Sequence, residues 1–338
     1  MLKWEAFSGD ASEWDKTLLQ ARDHNIFQSY AWGQYKENSG QNIVRYLCKD
    51  LDGHTKGLIQ MTIKSLPLKL KFIWSAGGPI LEFPKNSADL YDEALGSLFK
   101  QLHADFPRAL IRIHCHTENN ASKAFAYSKT AKKPFYRLNS GFSVLFEMAK
   151  FKDFRSALSV KHRYYVKKSA SNNLEWVVGS SDELLNALSS LHGEMTVAKS
   201  LESISTSLDE LKKIRGHIPQ NHFVLVGYQN NVPVTACLVL TFGTKAFYMI
   251  AATGQLGRKI SAAYAMIERL FIELQSRGIE HFDFAGVDPV SAAAAGVNHF
   301  KSGFGGSLIE HLGEWESAQS EWQRILINGA IRLKGGRA

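Results

Sequence analysis

Apolar and polar positions alternate with period two in two stretches of this chain, and the two stretches run in the same order. In the first, Ile43 to Cys48 meets turn residues at Asp50-Leu51-Asp52-Gly53, and Gly57 to Ile63 and Lys71 to Trp74 follow. In the second, Phe223 to Tyr228 meets Gln229-Asn230-Asn231, and Val234 to Thr241 and Ala246 to Ala251 follow. Turn residues between alternating runs predict antiparallel meanders. Each meander reaches a glycine-containing loop and then a change of period. After Ala76-Gly77-Gly78-Pro79 a helix is expected from about Ala88 to Leu102. After the loop Thr253 to Lys259 a second is expected from about Ser261 to Gln275. There Tyr264, Ile267, Leu270, Phe271 and Leu274 make one apolar face, and Gly278 suits the stop. Each helix returns into a strand, Leu110 to Ile113 or His281 to Phe284. Each half then ends on an aromatic residue and a Gly-Phe pair, within Phe135 to Phe142 and Phe300 to Phe304.

Between the halves the period is helical. Ser180-x-x-Glu183 and Ser207-x-x-Glu210 are capping-box patterns, and Leu184, Leu185, Leu188 and Leu191 form the core stripe behind the first. Asn119 to Lys133 is polar and basic and is expected to be a loop. From about Glu316 a terminal helix is expected, running to the basic end of the chain. The fold class is therefore α/β, with mixed α+β sheets in two domains joined by a helical connector. The first domain is expected to cover residues 1–148 plus the helix at about 316–338, and the second 149–315. Each should hold its own central sheet with a splayed pair of strands.

Composition fits this picture without sharpening it. At 338 residues, 45% hydrophobic and 21% charged, the chain is long enough for two cores and is not disordered. No run approaches the ~18 apolar residues of a membrane-spanning helix. The start, Met1-Leu2-Lys3-Trp4-Glu5, lacks a signal-peptide core, so a cytoplasmic location is expected. Cys48, Cys115 and Cys237 are far apart in apolar runs and read as reduced core residues. The net charge of +8 changes more. Lys161, Arg163, Lys167 and Lys168 cluster, as do Lys129, Lys132 and Lys133, which favours nucleotide phosphates, an RNA backbone or an acidic membrane surface.

The order of three strands, glycine loop, helix, strand, and aromatic followed by Gly-Phe resembles the GNAT acyltransferase fold. Two such halves joined by a basic helical segment resemble the Fem family, peptidyl transferases that move amino acids from aminoacyl-tRNA onto the peptide of a cell-wall precursor. The matching stretches are Phe27 to Lys36, Gly77-Gly78-Pro79, His162 to Ala170, and Phe282-Asp283-Phe284-Ala285-Gly286 with Phe300 to Gly306. Lys199 departs from the arginine the family often carries there. The resemblance implies no tightly bound cofactor, with aminoacyl-tRNA or acyl-CoA as the donor. It implies a phosphate-bearing envelope precursor as acceptor, peripheral contact with the inner membrane surface, and no DNA. Two other readings stand beside it: acyl-CoA-dependent N-acylation of a sugar, and a catalytically silent GNAT-like binding module.

Aminolysis of an ester needs a neutral amine, close approach and stabilisation of the oxyanion, and no nucleophilic side chain. That suits a sequence with no Gly-x-Ser-x-Gly elbow. By the resemblance Lys301 is the candidate for the chemical step, holding the donor or the oxyanion; otherwise it is a surface lysine beside a Gly-Phe turn. Ser302, Gly303, Gly305 and Gly306 suggest an open, polar turn around it. Asp283 could orient an amine or cap the turn at Gly286. Trp32 and Lys36, four apart, share a helix face that could stack a nucleobase or hold a phosphate, with Trp32 otherwise read as core, and the resemblance places Lys36 at the acceptor's phosphate. Arg163 and Lys167 are like charges at the same spacing, which costs about 0.2–0.5 kcal/mol in an isolated helix and is explained by an anion or by a solvated face. Gly78, Lys199, Tyr264, Phe300, Gly303 and Phe304 complete the substrate-binding candidates. The loop at Gly254 to Lys259 lacks the spacing of an acyl-CoA loop, which argues against CoA. His114 and His116 share a strand face, and no further zinc ligand is evident at a nearby spacing.

Overall fold

In the computed structural model, which describes residues 1–84, 87–151, 153–198 and 205–333, both alternating stretches are antiparallel meanders. Strands β1 (Lys3–Ala6), β2 (Asn42–Lys49), β3 (Thr55–Ser65), β4 (Lys71–Ala76), β5 (Ile80–Leu81) and β6 (Ala109–Glu118) come first. Strands β7 (Phe142–Glu147), β8 (Glu175–Gly179), β9 (His222–Gln229), β10 (Val232–Phe242), β11 (Lys245–Thr253) and β12 (His281–Val287) follow, and β13 (Ser307–Ala318) is last. The chain divides into two compact units, Met1–Phe142 with Ile309–Ala338, and Ser143–Leu308. The division falls after Phe142, the first residue of β7, whereas 148 lies after that strand, and β13 contributes to both units.

In the first unit the strands lie in the order β1-β2-β3-β4-β6-β13, with β5 beside β3; in the second the order is β7-β12-β11-β10-β9-β8. Each half was expected to hold a central sheet, and within each unit the strands form one in the order given.

The splayed pair is found in one unit only. In the second, β11 and β12 are parallel partners over Lys245–Phe247 and His281–Asp283 alone, and the rest of each strand is unpaired with the other. In the first, all six residues of β4 pair with β6, from Lys71 with Ala109 to Ala76 with His114, and the Gly77 amide continues the ladder to the His114 carbonyl at 2.8 Å. Splaying in the first unit is therefore not observed; its two central strands are zipped together.

The helices follow their apolar stripes. Ala88–Asp105 buries Ala94, Leu95, Leu98, Phe99 and Leu102, a spacing that lays one face on a core with Ile59, Ile111, Ile113 and Trp315. Each such fully buried side chain contributes about 1.5–3 kcal/mol of transfer free energy. The stretch read as a loop contains the helix Ala121–Thr130, capped by the Asn120 side chain on the Lys123 amide at 2.9 Å. Its polar sequence hides two inward residues, Ala126 and Tyr127, and Tyr127 stacks on Trp315 at 5.4 Å. The first connector helix, Asp182–Ala198, starts one residue later than its capping box suggested. The second, Leu208–His217, is capped by Ser207 as expected.

The terminal helix is Glu321–Leu333, because β13 runs on through Glu316 to Ala318. Glu316 lies fully buried between Arg112 on β6 and Arg324 and Asn328 on that helix. A strand carrying alternate buried carboxylates does not look apolar in sequence, which is why its length was missed. The three cysteines are free and buried. Among the described residues no helix is long and apolar enough to cross a membrane.

Candidate active site

In the second unit, the helix Ala295–Ser302 carries Phe300 and Lys301 back against the unpaired end of β12. The Lys301 ammonium donates to the Gly286 carbonyl at 3.1 Å and lies 5.4 Å from the centre of the Phe284 ring. It is half-buried, in the last turn of a helix, so the open polar turn expected around it is not what forms. Burial lowers its pKa to about 8, with the Asp283 carboxylate pulling the other way. Asp283 itself accepts the Ala285 amide at 2.7 Å, capping a turn in which Ala285 has φ of 60°. An L residue in that left-handed region needs such local support.

Around the lysine is an aromatic cluster. Phe300 and Phe304 meet edge-on at 5.0 Å, and Tyr264, half-buried on the helix Ala262–Ser276, lies 5.2 Å from Phe300 and stacks on Tyr165 at 4.8 Å. Phe304 is fully buried. Under it sits His162, also fully buried, which sequence reasoning passed over. Its Nε2 is 2.8 Å from the Phe300 carbonyl and its Nδ1 2.9 Å from the Ser159 hydroxyl. Burial lowers its pKa, although the Phe300 carbonyl bond works in the opposite direction. A neutral ring facing a carbonyl must carry its proton on Nε2, so Nδ1 accepts from Ser159. The Ser159 amide in turn donates to the Gly303 carbonyl at 3.0 Å. Gly303 is a glycine because a Cβ there would lie 2.0 Å from the His162 ring.

His162 thus ties the Phe300–Gly303 segment to the start of the basic helix, Val160–Ala170. That helix buries His162, Val166 and Ser169 and exposes Lys161, Arg163, Tyr164, Lys167 and Lys168. The buried spacing of four then three is a helical signal that could have marked His162 in the sequence. Arg163 donates to the Leu158 carbonyl at 3.3 Å. Lys199 lies outside the described residues.

The second glycine loop is closed. The Glu194 carboxylate accepts the Gln255 amide at 2.6 Å, and Arg258, 3.8 Å from the same carboxylate, donates to the Thr253 carbonyl at 2.8 Å. Glu194 also went unnoticed, although it stands three residues beyond Leu191 on the connector stripe.

In the first unit, Trp32 is in the core, edge-on to Phe27 at 5.0 Å. Lys36 is half-buried, with its ammonium 4.8 Å from the Trp32 ring and 4.7 Å from the Tyr35 ring. Gly78 packs on buried Gln28 and Ser75, where a Cβ would lie 2.8 Å from either side chain. Gln28 in turn bonds Gln60 and the Ala76 carbonyl, locking the Phe27–Ser29 segment onto the sheet. The structure does not bring Gly78 into a cluster with Lys36 through these contacts. His114 and His116 are joined by His311, with His116 Nε2 3.2 Å from His114 Nδ1. Burial pushes the His114 pKa down to about 3, with His311 adding to the effect. Asp50, Asp52 and His54 could together offer ligands to a metal, but Asp50 already accepts two backbone amides and pairs with Lys56 at 3.2 Å. Lys129, Lys132 and Lys133 are each engaged, with Asp92, Glu321 and the Leu312 carbonyl.

The strand order within the second unit and the splayed β11–β12 pair define a GNAT-like fold. The tandem GNAT protein from the clavulanic acid biosynthesis pathway shares the fold at a TM-score of 0.55 and 9% identity, over 94% of this chain and 98% of that one. FemX is more similar, at a TM-score of 0.82 and 14% identity over 96% of this chain and 100% of its own. L-PGS from Bacillus licheniformis aligns at 0.58 and 13%, over 95% and 96%. Comparison with curated protein sequences finds no match. The FemAB family model matches residues 155–325, and the chain belongs to the FemAB family.

Proposed function

We propose that this protein transfers an amino acid from aminoacyl-tRNA to an amine of a nucleotide- or lipid-linked cell-envelope precursor. The acceptor amine attacks the ester carbonyl, the C–N bond forms, and the C–O bond to the tRNA 3′-oxygen breaks. That oxygen leaves as a hydroxyl, taking the proton that the amine gives up. Lys301, mostly protonated at neutral pH with its pKa near 8, supplies positive charge for the oxyanion. The exposed cations of the helix Val160–Ala170 fit the phosphates of the donor's RNA, and Lys36 fits a phosphate of the acceptor.

The observation that carries the choice of donor is the Glu194 carboxylate on the Gln255 amide. A CoA pyrophosphate would need such loop amides free, and here an anion already holds one. An ester donor makes no such demand. The test is a transfer assay with charged tRNA against acyl-CoA, on one panel of amine acceptors. Transfer from charged tRNA alone is expected; transfer from acyl-CoA alone would overturn the reading.

A further inference from the structure

We infer that His162 is a positioning residue for Lys301: its imidazole, bonded to the last turn of the helix Ala295–Ser302, holds the ammonium at the Gly286 carbonyl. The last carbonyls of a helix have no intrahelical amide to meet them and need another donor. In a continuing helix the Phe300 carbonyl would take the Phe304 amide, four residues on. Here that amide turns to the Lys301 carbonyl at 3.4 Å, and the Gly303 amide turns to the His299 carbonyl at 3.3 Å. The Phe300 carbonyl is met by the His162 Nε2–H instead, at 2.8 Å. Two residues beyond Lys301, the Gly303 carbonyl accepts the Ser159 amide at 3.0 Å. Lys301 is therefore bracketed by bonds from one capping turn, Ser159 to His162.

The ring itself is fixed. It is fully buried, meets Tyr264 at 5.1 Å and Phe304 edge-on at 4.8 Å, and fills the space that Gly303 leaves by lacking a Cβ. With both nitrogens bonded and both neighbours packed, it has one place to stand. The lysine has no such restraint of its own, because its ammonium rides on a flexible four-carbon stem. Its backbone must therefore set where the amine lies between the Gly286 carbonyl and the Phe284 ring. Without His162 the buried Phe300 carbonyl loses its donor, and the segment shifts toward water to find another. A displacement of about 1 Å at a reacting group costs on the order of 10²-fold in rate. The titratable groups facing His162 are Lys161 on its own helix, His299 on the Lys301 helix and Tyr264 on the helix Ala262–Ser276; the carboxylate facing Lys301 is Asp283 on β12. The hold on the amine is independent of the donor, whereas its consequence for the rate rests on the transferase reading.

The test reads the Lys301 amine directly, by trace acetylation with acetic anhydride across pH and mass spectrometry of the Lys301 peptide. In wild type the reactivity should titrate near pH 8. His162→Leu removes both ring bonds at similar volume, and the midpoint should rise by about one pH unit or more toward the ordinary ~10.4, as the amine meets water. His162→Gln sets an amide N–H where Nε2 stands and should keep the wild-type midpoint. His162→Asn, whose amide stands where Nδ1 does, should shift it as His162→Leu does, and takes that variant's place if it fails to fold. Val166→Ala, buried one turn further along the same helix, should lower the unfolding midpoint and leave the titration unmoved. With charged tRNA as donor, His162→Leu should lose on the order of 10–10² in kcat with a smaller change in KM, and His162→Gln should recover most of it. An unchanged titration in folded His162→Leu, or an equal shift in Val166→Ala, overturns the proposal and makes His162 a core residue only. A titration that shifts as expected in a protein that transfers nothing from charged tRNA supports the positioning role and sinks the donor reading instead.

Discussion

Lys301 holds its charge against desolvation. Its amine is bonded to a carbonyl and faces a phenyl ring, with Asp283 as the carboxylate that favours the ammonium. If the ammonium is the active form, kcat/KM should carry an alkaline limb near pH 8, and Lys301→Arg should retain some activity and lose that limb. Lys301→Met should lose on the order of 10²–10³ in kcat, the scale of removing one oxyanion donor. A rate that instead rises through pH 8 in wild type and stays flat in Lys301→Met would make the lysine a base and sink the electrostatic role. Stability gives an independent reading. Between about 8 and the ordinary lysine value of ~10.4 the unfolded chain holds a proton that the native amine has released, so stability rises with pH across that window. Lys301→Met should flatten the rise without lowering the unfolding midpoint at neutral pH. Lys36 differs, since its cation lies on aromatic faces of its own helix. Lys36→Ala should raise the acceptor's KM with a smaller effect on kcat and on the midpoint, measured by initial rates and thermal unfolding. The lysine at 301 was legible in the sequence as a candidate, but its surroundings were not. The glycines and serine that follow it suggested an exposed turn, whereas Phe284 and Phe304 arrive from β12 and from beyond the helix.

Among the elements, the terminal helix depends most on a few polar atoms. Glu316 accepts from Arg112, Arg324 and Asn328, and all four residues are buried. Removing one partner of such a set leaves two guanidinium groups desolvated and short of an anion. Glu316→Ala should therefore cost about 3–5 kcal/mol in chemical unfolding, far more than an exposed ion pair such as Lys132 with Glu321. A loss under about 1 kcal/mol would show that water enters and replaces the carboxylate. Strands bounded by Asp50 to Gly53 or by Asn230 and Asn231 could be read directly, because turn chemistry is local. Glu316 could not, because its meaning depends on arginines more than two hundred residues before it and eight after it. The helix Ala121–Thr130 was lost for a related reason: its inward face is short, and Tyr127 finds its partner Trp315 far along the chain. The β4–β6 zipper is likewise a matter of register between distant segments.

At the scale of the whole molecule, the two halves share an order of elements but not a state of their central strands, and both bury histidines in neutral form. His114 and His116 in the first unit, and His162, His192 and His222 in the second, all have pKa values lowered chiefly by burial. In the unfolded chain each would titrate near 6.5. Below that pH the unfolded chain takes up protons that the native histidines refuse, so stability falls on acidification. For His114 the loss continues down to about 3, where the native ring finally protonates. Raised carboxyl values at Asp15 and Glu314 work in the opposite direction above the ordinary carboxylate range of ~4, so the histidine share is read from a histidine variant. Thermal unfolding should show a lower midpoint at pH 5 than at pH 7, with net proton uptake on unfolding at pH 5. His114→Phe, which keeps a ring beside Trp74, should narrow the difference, because one of the refusing groups is gone. Equal midpoints at the two pH values, or a difference untouched by His114→Phe, would mean that these rings are hydrated and charged in the native protein.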